Sequence, residues 1–324
     1  MDLPEGFKSG LTRFGLGLAA LGRPGYINLG HAADLNGRYH PSDMERQTHQ
    51  VIDLAVQLGV KYIDVAQSYG RGEEFLSSWL RNHRPEDLWV GSKWGYYYTA
   101  DWQVNAKKHE IKDHSVELLS RQWPESETRL KPYLKLYQVH SATLESGVLQ
   151  NTKVLEELAR IKAGGYVIGL SLSGEQQAEV LRKALDIKVD EDTLFGSVQA
   201  TYNLLEQSVT PALEEAHDRG LAIIAKETLA NGRLTTRNKG AAYFEVLQAM
   251  ASKYKTTIDA LSLAFVLEKK FITTVLSGAA TEEQLISNLK SRELDLESTD
   301  LRQLGNLQMP SDTYWNERAG LAWN

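Results

Sequence analysis

Four polar side chains stand in or just after apolar runs of strand length: Asp64 in YIDV, Tyr69 in QSYG, Lys93 in VGSK and His140 in YQVH. An ammonium group ~4 Å from a phenol lowers the phenol's pKa by up to ~3 units at an effective dielectric constant of ~20. We therefore expect Lys93 to bring the pKa of Tyr69 down toward the neutral range, where a general acid works best. These residue types suit the protonation of a carbonyl oxygen.

The other two residues support the proton donor in this interpretation. Burial tends to remove the proton from a lysine, and the carboxylate of Asp64 would keep Lys93 charged. His140 would position the carbonyl oxygen that receives the proton. Such a site suits carbonyl reduction in which a cofactor supplies the hydride. Each residue alone is more often a cap, a solvated charge or a packed side chain, so the prediction rests on the four together.

Eight short β-rich runs alternate with helical patterns along the chain. The runs cover residues 13–21, 61–66, 88–94, 133–140, 166–172, 195–201, 221–227 and 271–278. The helical patterns cover residues 43–59, 71–83, 104–122, 150–163, 175–185, 206–219 and 243–269. Such alternation predicts parallel strands with right-handed crossovers, and eight units are the number that closes a barrel. We therefore predict an α/β fold, a (β/α)8 TIM barrel, that forms a single domain over residues 1–324.

The carboxyl ends of barrel strands meet at one mouth, where we expect the four chemical residues to converge. Two long segments, residues 22–41 and 305–324, are rich in Gly, Asn, Pro and aromatic residues. We expect both to form functional loops at that mouth. The helix over 43–59 is expected to have its N-cap at Ser42 or Asp43 and to end at Gly59.

The composition is typical of a globular protein and argues against several classes of function. Of the 324 residues, 42% are hydrophobic, and the net charge of −6 argues against a nucleic-acid partner. The absence of cysteine excludes disulfides, iron–sulfur clusters and thiolate zinc sites. The eight histidines lack ligand spacing, so no metal is expected. No apolar run matches a signal peptide or a membrane span, which predicts a cytoplasmic protein with no membrane partner.

The motifs that carry these residues resemble those of the aldo-keto reductase superfamily over nearly the whole chain. They are RFGLGLAALG, YIDVAQSYG, VGSKWG, LYQVH, IGLSLSG, SVQATYN, LANGRL and SGAATEEQLISN. Asp64, Tyr69, Lys93 and His140 fall, in the same order, where that family has its catalytic tetrad. The resemblance implies a (β/α)8 barrel with NADP(H) or NAD(H) bound in extended form at the mouth. It also implies a small-molecule carbonyl or sugar as the substrate.

The resemblance further implies cofactor contacts along the cavity. At the nicotinamide half they are Gly17, Leu18, Asp64, Ser171, Gln199 and Lys226; at the pyrophosphate loop, Leu229, Asn231 and Gly232; at the adenosine end, Gly278, Ala279, Gln284 and Asn288. A helix that begins near residues 281–283 would point its N-terminal dipole at a phosphate.

Two departures from the family pattern lie at the nicotinamide half. Leu172 stands where the family usually has an Asn that contacts the carboxamide. Lys226 stands where an aromatic ring commonly stacks on the nicotinamide, and a lysine lacks that flat surface. We expect Lys226 either to reach a phosphate or to turn away.

A third departure lies at the adenosine end. Many members that use NADP have Arg or Lys around the 2′-phosphate, whereas this chain has Gly278, Ala279, Ala280 and Gln284. Without a nearby cation the 2′-phosphate is poorly matched, so NAD(H) is a candidate beside NADP(H). Three cations remain as possible substitutes: Lys226, Arg233 and Lys290.

The substrate end is marked only by aromatic residues. Trp94 and Trp315 are candidates to line the substrate pocket; packing beneath loops is an equal alternative for Trp94 and the favoured one for Trp315. Some relatives of the family are regulatory subunits of potassium channels. A cofactor-binding subunit with little turnover is therefore an alternative to the predicted oxidoreductase with Tyr69 as general acid or base.

Other barrel and dinucleotide enzymes fit the sequence less well. Gly15, Gly17 and Ala20 match the loose pattern GxGxxA, but residues 22–25 break the helix that a Rossmann fold needs there. No Tyr has a Lys four residues later, as a short-chain dehydrogenase would require. No clear pair of carboxylates at strand ends supports glycoside hydrolysis.

Overall fold

Eight parallel strands close into a barrel in the computed structural model, which describes residues 11–324. They are β1 (Phe14–Gly17), β2 (Tyr62–Asp64), β3 (Trp89–Trp94), β4 (Leu134–Ala142), β5 (Val167–Leu172), β6 (Ser197–Thr201), β7 (Ala222–Lys226) and β8 (Thr274–Ser277). Each strand pairs with its neighbours in chain order, and β8 closes the barrel on β1. The predicted (β/α)8 barrel is confirmed, and each of its strands lies within one of the eight predicted runs, apart from two residues at the end of β4.

Helices connect the strands and surround the barrel. They are α1 (His31–Asp34), α2 (Pro41–Gln57), α3 (Gly72–His83), α4 (Val116–Leu130), α5 (Thr152–Ala163), α6 (Gln177–Leu185), α7 (Thr210–Asp218), α8 (Phe244–Lys253), α9 (Ile258–Leu267), α10 (Glu282–Leu289), α11 (Ser298–Gly305) and α12 (Ser311–Ala319). Within residues 11–324, no helix is long and apolar enough to cross a bilayer. The same residues contain no cluster of His, Asp and Glu that could hold a metal ion.

Two predicted helical segments differ clearly from the structure. The segment predicted as helix over 104–122 instead contains the hairpin strand Glu110–Lys112, paired with Tyr96–Tyr98, and α4 begins only at Val116. Pro124 lies inside α4, although a proline usually ends a helix. The predicted helix therefore ended at residue 122, before the proline, whereas α4 continues to Leu130. The segment 243–269 is two helices, because α9 has its own N-cap at Thr257.

The start of α2 was also predicted wrongly. Its N-cap is His40, neither Ser42 nor Asp43, and Pro41 occupies the first turn. A proline fits there because its fixed φ is helical and the missing N–H has no partner to lose. The predicted end is confirmed, because Gly59 has a φ of +83° just past the helix.

Tyr62 fills the barrel interior beneath the polar residues. Its side chain is 1% exposed, and its hydroxyl donates to Asp64 Oδ2 at 3.2 Å. Glycines make room for the ring: a Cβ at Gly91 would lie 2.2 Å from Tyr62 Oη, and one at Gly15 would lie 2.9 Å from Tyr62 Cδ1. Side chains two residues apart on a strand share a face, so the residue above Tyr62 on β2 is Asp64, and the residue above Leu136 on β4 is Gln138.

The long loop after β1 and the last residues of the chain meet over the barrel mouth, as predicted. The backbone groups of Tyr26 and Asn324 exchange two hydrogen bonds of 3.2 Å. The Asn324 side chain accepts from Ala32 N at 3.2 Å and donates to the Asn28 carbonyl oxygen at 3.0 Å. These bonds hold the tail against the loop.

The contact between Gly91 and Tyr62 gives a prediction about stability. Gly91→Ala is expected to lower the free energy of unfolding by about 1–3 kcal/mol, because the new methyl group must displace a buried ring. Urea denaturation measures the difference. Gly240→Ala is the control, since a Cβ there meets no atom within 4 Å. Equal losses in both variants would contradict the argument.

Candidate active site

Lys93 is the centre of the site, and its buried ammonium group has three acceptors. Nζ donates to Asp64 Oδ1, to the Val65 carbonyl oxygen at 3.0 Å and to the Tyr69 hydroxyl oxygen at 3.2 Å. Burial lowers the pKa of Lys93, and Asp64 opposes that effect. Because an ammonium offers three donors and no acceptor, these partners fit the charged form.

Asp64 is held by donors from four strands. Besides Lys93, its carboxylate accepts from Gln199 Nε2 at 2.8 Å, Tyr62 Oη at 3.2 Å and Gln138 Nε2 at 3.4 Å. The side chain is almost inaccessible to solvent. The barrel therefore provides a fixed counter-charge for Lys93 at the end of β2.

Tyr69 keeps its proton in this environment. Burial and the charge of Asp64 raise the pKa of Tyr69 well above its usual value, and the cation of Arg23 only partly opposes them. The expectation that Lys93 brings this pKa toward neutrality is not met, because Asp64 compensates the charge of Lys93 at contact distance. Since Tyr69 Oη accepts from Lys93, its own proton is free for another oxygen.

His140 lies beside Tyr69 as a neutral imidazole. The two rings make an edge contact with centroids 5.5 Å apart. Burial, together with the cations of Lys93 and Arg23, lowers the pKa of His140 well below its usual value. Nδ1 lies 3.4 Å from Ser68 Oγ, and a neutral imidazole has one donor and one acceptor nitrogen. His140 can therefore orient a carbonyl oxygen without competing to protonate it.

Arg23 is a buried cation at the site that the sequence analysis missed. Its side chain is 3% exposed, and Nη1 donates to Glu110 Oε2 at 2.8 Å. The guanidinium carbon lies 5.0 Å from the ring centroid of Trp323, 5.2 Å from that of Tyr69 and 5.3 Å from that of Tyr26. The only signal in the sequence was its position in the loop expected at the mouth.

A cavity of about 610 Å³ runs from Tyr69 and His140 to the start of α10. The predicted site residues that line it are Gly17, Asp64, Tyr69, His140, Gln199, Lys226, Leu229, Asn231, Gly232, Gly278, Ala279, Gln284 and Asn288. The fold thus brings residues from widely separated segments to one continuous space.

Five predicted site residues lie outside this lining. Lys93 is behind Tyr69, Leu18 N donates to the Asp64 carbonyl oxygen at 2.8 Å, and Ser171 Oγ accepts from Ser141 N at 2.8 Å. Two more are tryptophans packed on other aromatic rings: Trp94 on His114, with centroids 5.6 Å apart, and Trp315 on Tyr314, with centroids 5.4 Å apart. A third tryptophan, Trp323, lines the cavity.

Lys226 points to neighbouring side chains at the tetrad end of the cavity. Its Nζ donates to Thr201 Oγ1 at 2.7 Å and lies 4.0 Å from Glu227 Oε1. Burial lowers the pKa of Lys226 to about 8. Arg318 Nε donates to both carboxylate oxygens of Glu227, at 2.9 and 3.1 Å. Although burial acts to raise the pKa of Glu227, Arg318 and Lys226 hold it well below its usual range.

The other end of the cavity is formed by α10 and its neighbours. As predicted, α10 begins near residue 281: Thr281 is its N-cap and accepts from Gln284 N at 3.3 Å. With its amide nitrogen toward Asp259, Asn288 donates to Oδ2 of that residue at 2.9 Å and accepts from Ser277 Oγ at 2.8 Å.

The three cations predicted as substitutes are not at this end. Lys226 lies near the tetrad, Arg233 Nη1 is bound to Glu317 Oε2 at 3.1 Å, and Lys290 is exposed and outside the cavity lining. Arg237, which the sequence analysis did not single out, lines the cavity here and is paired with Asp34.

Comparisons with known proteins agree with this architecture. Pyridoxal 4-dehydrogenase of Microbacterium luteolum is 24% identical over 333 aligned positions, and the alignment covers 89% of this chain and 94% of that protein. The NADH-specific methylglyoxal reductase of Escherichia coli (strain K12) is 23% identical over 323 residues, which cover 90% of this chain and 92% of that protein. An aldo-keto reductase from Bacillus halodurans, solved in its holo form, superposes with a TM-score of 0.67 at 19% identity and 91% coverage of each chain.

The model of the Aldo/keto reductase family matches residues 27–308, which is most of the chain. That match includes Asp64, Tyr69, Lys93 and His140 and the residues of the α10 end of the cavity. The chain therefore belongs to the aldo/keto reductase family and is an NAD(P)H-dependent oxidoreductase.

Proposed function

We propose that the chain interconverts a carbonyl compound and the corresponding alcohol, with Tyr69 as general acid or base. The observation that carries the proposal is the Tyr69 hydroxyl, which lines the cavity and accepts a hydrogen bond from Lys93 at 3.2 Å. Because the ammonium donates to a lone pair of the hydroxyl oxygen, the Tyr69 proton is directed away from Lys93. This arrangement makes Tyr69 a donor to an oxygen bound beside His140.

The cavity fits a nicotinamide dinucleotide in size and in its polar groups. A volume of about 610 Å³ lies within the usual range of ligand sites. Asn231 lines the cavity, and its buried Oδ1 has no partner within the protein. At Gly278 an added Cβ would meet no atom within 4 Å, so the backbone is open to a ligand. Buried polar atoms without partners are unusual and favour a ligand at this place.

The residues proposed to hold the cofactor follow the cavity from end to end. Around the nicotinamide they are Gly17, Asp64, Gln199 and Lys226; along the pyrophosphate, Leu229, Asn231 and Gly232; around the adenosine, Gly278, Ala279, Gln284 and Asn288. Leu18 and Ser171 lie outside the lining and are not part of this proposal. When bound, the nicotinamide supplies or accepts the hydride.

The proton moves through Tyr69 in this mechanism. In reduction, the carbonyl carbon gains the hydride while the Tyr69 O–H bond breaks and its proton goes to the carbonyl oxygen. The phenolate that results lies 3.2 Å from the Lys93 ammonium, which stabilises it until solvent returns a proton. Alcohol oxidation is the same sequence in reverse.

The substrate is proposed to be a small carbonyl compound or a sugar. Tyr26 and Trp323 offer apolar faces at the tetrad end of the cavity, and Glu110 and Arg318 offer an acceptor and donors. In this proposal Trp323 takes the place of the two candidate tryptophans from the sequence, Trp94 and Trp315. A cytoplasmic location stays a prediction of the sequence.

The role of Tyr69 is tested by removing its hydroxyl. Tyr69→Phe is expected to lower kcat for aldehyde reduction by ~10²-fold or more, with cofactor affinity nearly unchanged, because only the proton donor is lost. Tyr166→Phe is the control, since Tyr166 lies on the outer side of the barrel, bound to Glu127. Full activity of Tyr69→Phe would refute the proposal. Cofactor binding by the unmodified protein without turnover on a panel of aldehydes and sugars would favour a regulatory subunit.

The raised pKa of Tyr69 predicts a difference between the two directions of reaction. The hydroxyl is protonated throughout about pH 6–9, so the ionisation of Tyr69 is expected to change kcat for reduction less than about twofold over that range. Oxidation needs the ionised form, whose fraction rises with pH below the pKa, so its rate is expected to rise over the same range. Steady-state rates in both directions measure this. A reduction rate that falls with a midpoint near neutral pH would contradict the argument.

The ion pair beneath Tyr69 predicts a large effect on stability. Asp64→Asn leaves the buried ammonium of Lys93 without a counter-charge and is expected to lower the free energy of unfolding by about 3 kcal/mol. Asp87→Asn removes the partner of Lys61 in an exposed pair of 3.4 Å and serves as the control, with little expected change. Urea denaturation compares the two, and similar small losses would show that Lys93 does not depend on Asp64.

A further inference from the structure

The α10 end of the cavity contains an arginine, Arg237, whose charge is compensated by a carboxylate of the protein. Arg237 Nη1 donates to Asp34 Oδ2 at 2.9 Å, and Nη2 donates to Asp34 Oδ1, so the pair is bidentate. Nη1 also donates to the Leu29 carbonyl oxygen at 2.6 Å. Such a fork is among the strongest arrangements between arginine and a carboxylate, and it fixes the guanidinium in one orientation.

Asp34 is itself fixed from a second direction. Gln284 Nε2 donates to Asp34 Oδ1 at 2.7 Å, while Gln284 Oε1 accepts from Ala280 N at 2.9 Å. The Asp34 side chain is only 6% exposed, against 30% for Arg237. Asp34 therefore links α1 to α10 and keeps Arg237 from turning toward a ligand in the cavity.

The other charged side chains at this end are carboxylates. Glu283 and Asp259 line the cavity beside Arg237 and Gln284. A phosphate monoester carries a charge of about −1.5 to −2 at neutral pH and is bound most strongly by free cationic donors. Carboxylates repel such a group, whereas they accept hydrogen bonds from neutral hydroxyl and amino groups.

We propose that this chain selects NAD(H) over NADP(H), and that Asp34 is the residue that sets this specificity by holding Arg237. The inference rests on the proposed placement of the dinucleotide, with its adenosine at the α10 end. The ribose 2′-hydroxyl of NAD(H) is neutral and does not need the cation. The 2′-phosphate of NADP(H) would meet a compensated arginine and two carboxylates in this placement.

Binding to the unmodified protein is the first test. Dissociation constants for NADH and NADPH, measured by quenching of tryptophan fluorescence, are expected to favour NADH by ~10-fold or more. Displacement of NADH by ADP-ribose and by 2′-phospho-ADP-ribose should show the same preference, and this readout involves no hydride transfer. Equal or tighter binding of the 2′-phosphorylated forms would overturn the inference.

The Asp34→Asn variant tests the assigned residue. The amide keeps an oxygen for Gln284 and Arg237 but removes the charge that neutralises the arginine. We expect its affinity for NADPH to rise ~10-fold and its affinity for NADH to change less than ~3-fold. In Asp34→Asn/Arg237→Gln the gain should disappear, because the cation that provides it is gone. No gain in the single variant would overturn the role of Asp34.

Asp186→Asn is the matched control for net charge. Asp186 is a 75% exposed partner of Arg219 at 2.8 Å and lies outside the cavity lining. Asp186→Asn changes the net charge by the same amount as Asp34→Asn, but its affinity for NADPH should stay unchanged. A gain in NADPH affinity equal to that of Asp34→Asn would overturn the local role of Asp34. Thermal unfolding of each variant verifies the fold. If neither dinucleotide binds the unmodified protein, the proposed placement fails, and the specificity inference fails with it.

Discussion

The buried ammonium of Lys93 is the constraint on which the rest of the site depends. A lysine charge in a protein interior is unfavourable by several kcal/mol unless acceptors and a counter-charge surround it. Lys93 has these in Asp64, the Val65 carbonyl oxygen and the Tyr69 hydroxyl. Tyr69, the proposed proton donor to the substrate, is thus one of the three acceptors that stabilise the ammonium of Lys93. The same hydrogen bond therefore stabilises Lys93 and positions Tyr69.

The counter-charge in turn requires a closed barrel. Asp64 accepts from side chains on β3, β4 and β6 and from Tyr62 on its own strand. Strands so distant in sequence can point at one carboxylate only when the sheet closes. Beneath this layer the ring of Tyr62 fills the interior, and Gly91 leaves the space for it. Packing at the level of Tyr62 therefore sets the height of the polar layer above.

The sequence predicts features that depend on local patterns, and it misses those that depend on contacts between distant segments. The eight strands follow from short β-rich runs, and the convergence of Asp64, Tyr69 and His140 follows from their positions at strand ends. The helix predicted over 104–122 was wrong because this segment contains a hairpin strand and because the true helix continues through an internal proline. The predicted lowering of the pKa of Tyr69 was wrong because it considered only the charge of Lys93. Burial of the hydroxyl and the charge of Asp64 raise that pKa.

The same distinction explains why the sequence favours no role in the site for three arginines. Arg23 and Glu110 are 87 residues apart, Glu227 and Arg318 are 91 apart, and the partners Asp34 and Arg237 are 203 apart. Nothing in a local pattern joins such partners, so each arginine looks like a solvated surface charge. In the fold, all three arginines line one cavity with their charges compensated. The three arginines therefore present hydrogen-bond donors in fixed directions but create only a weak net electrostatic field. Ligand recognition in this cavity thus depends on the match of individual polar groups, with little contribution from long-range attraction of anions.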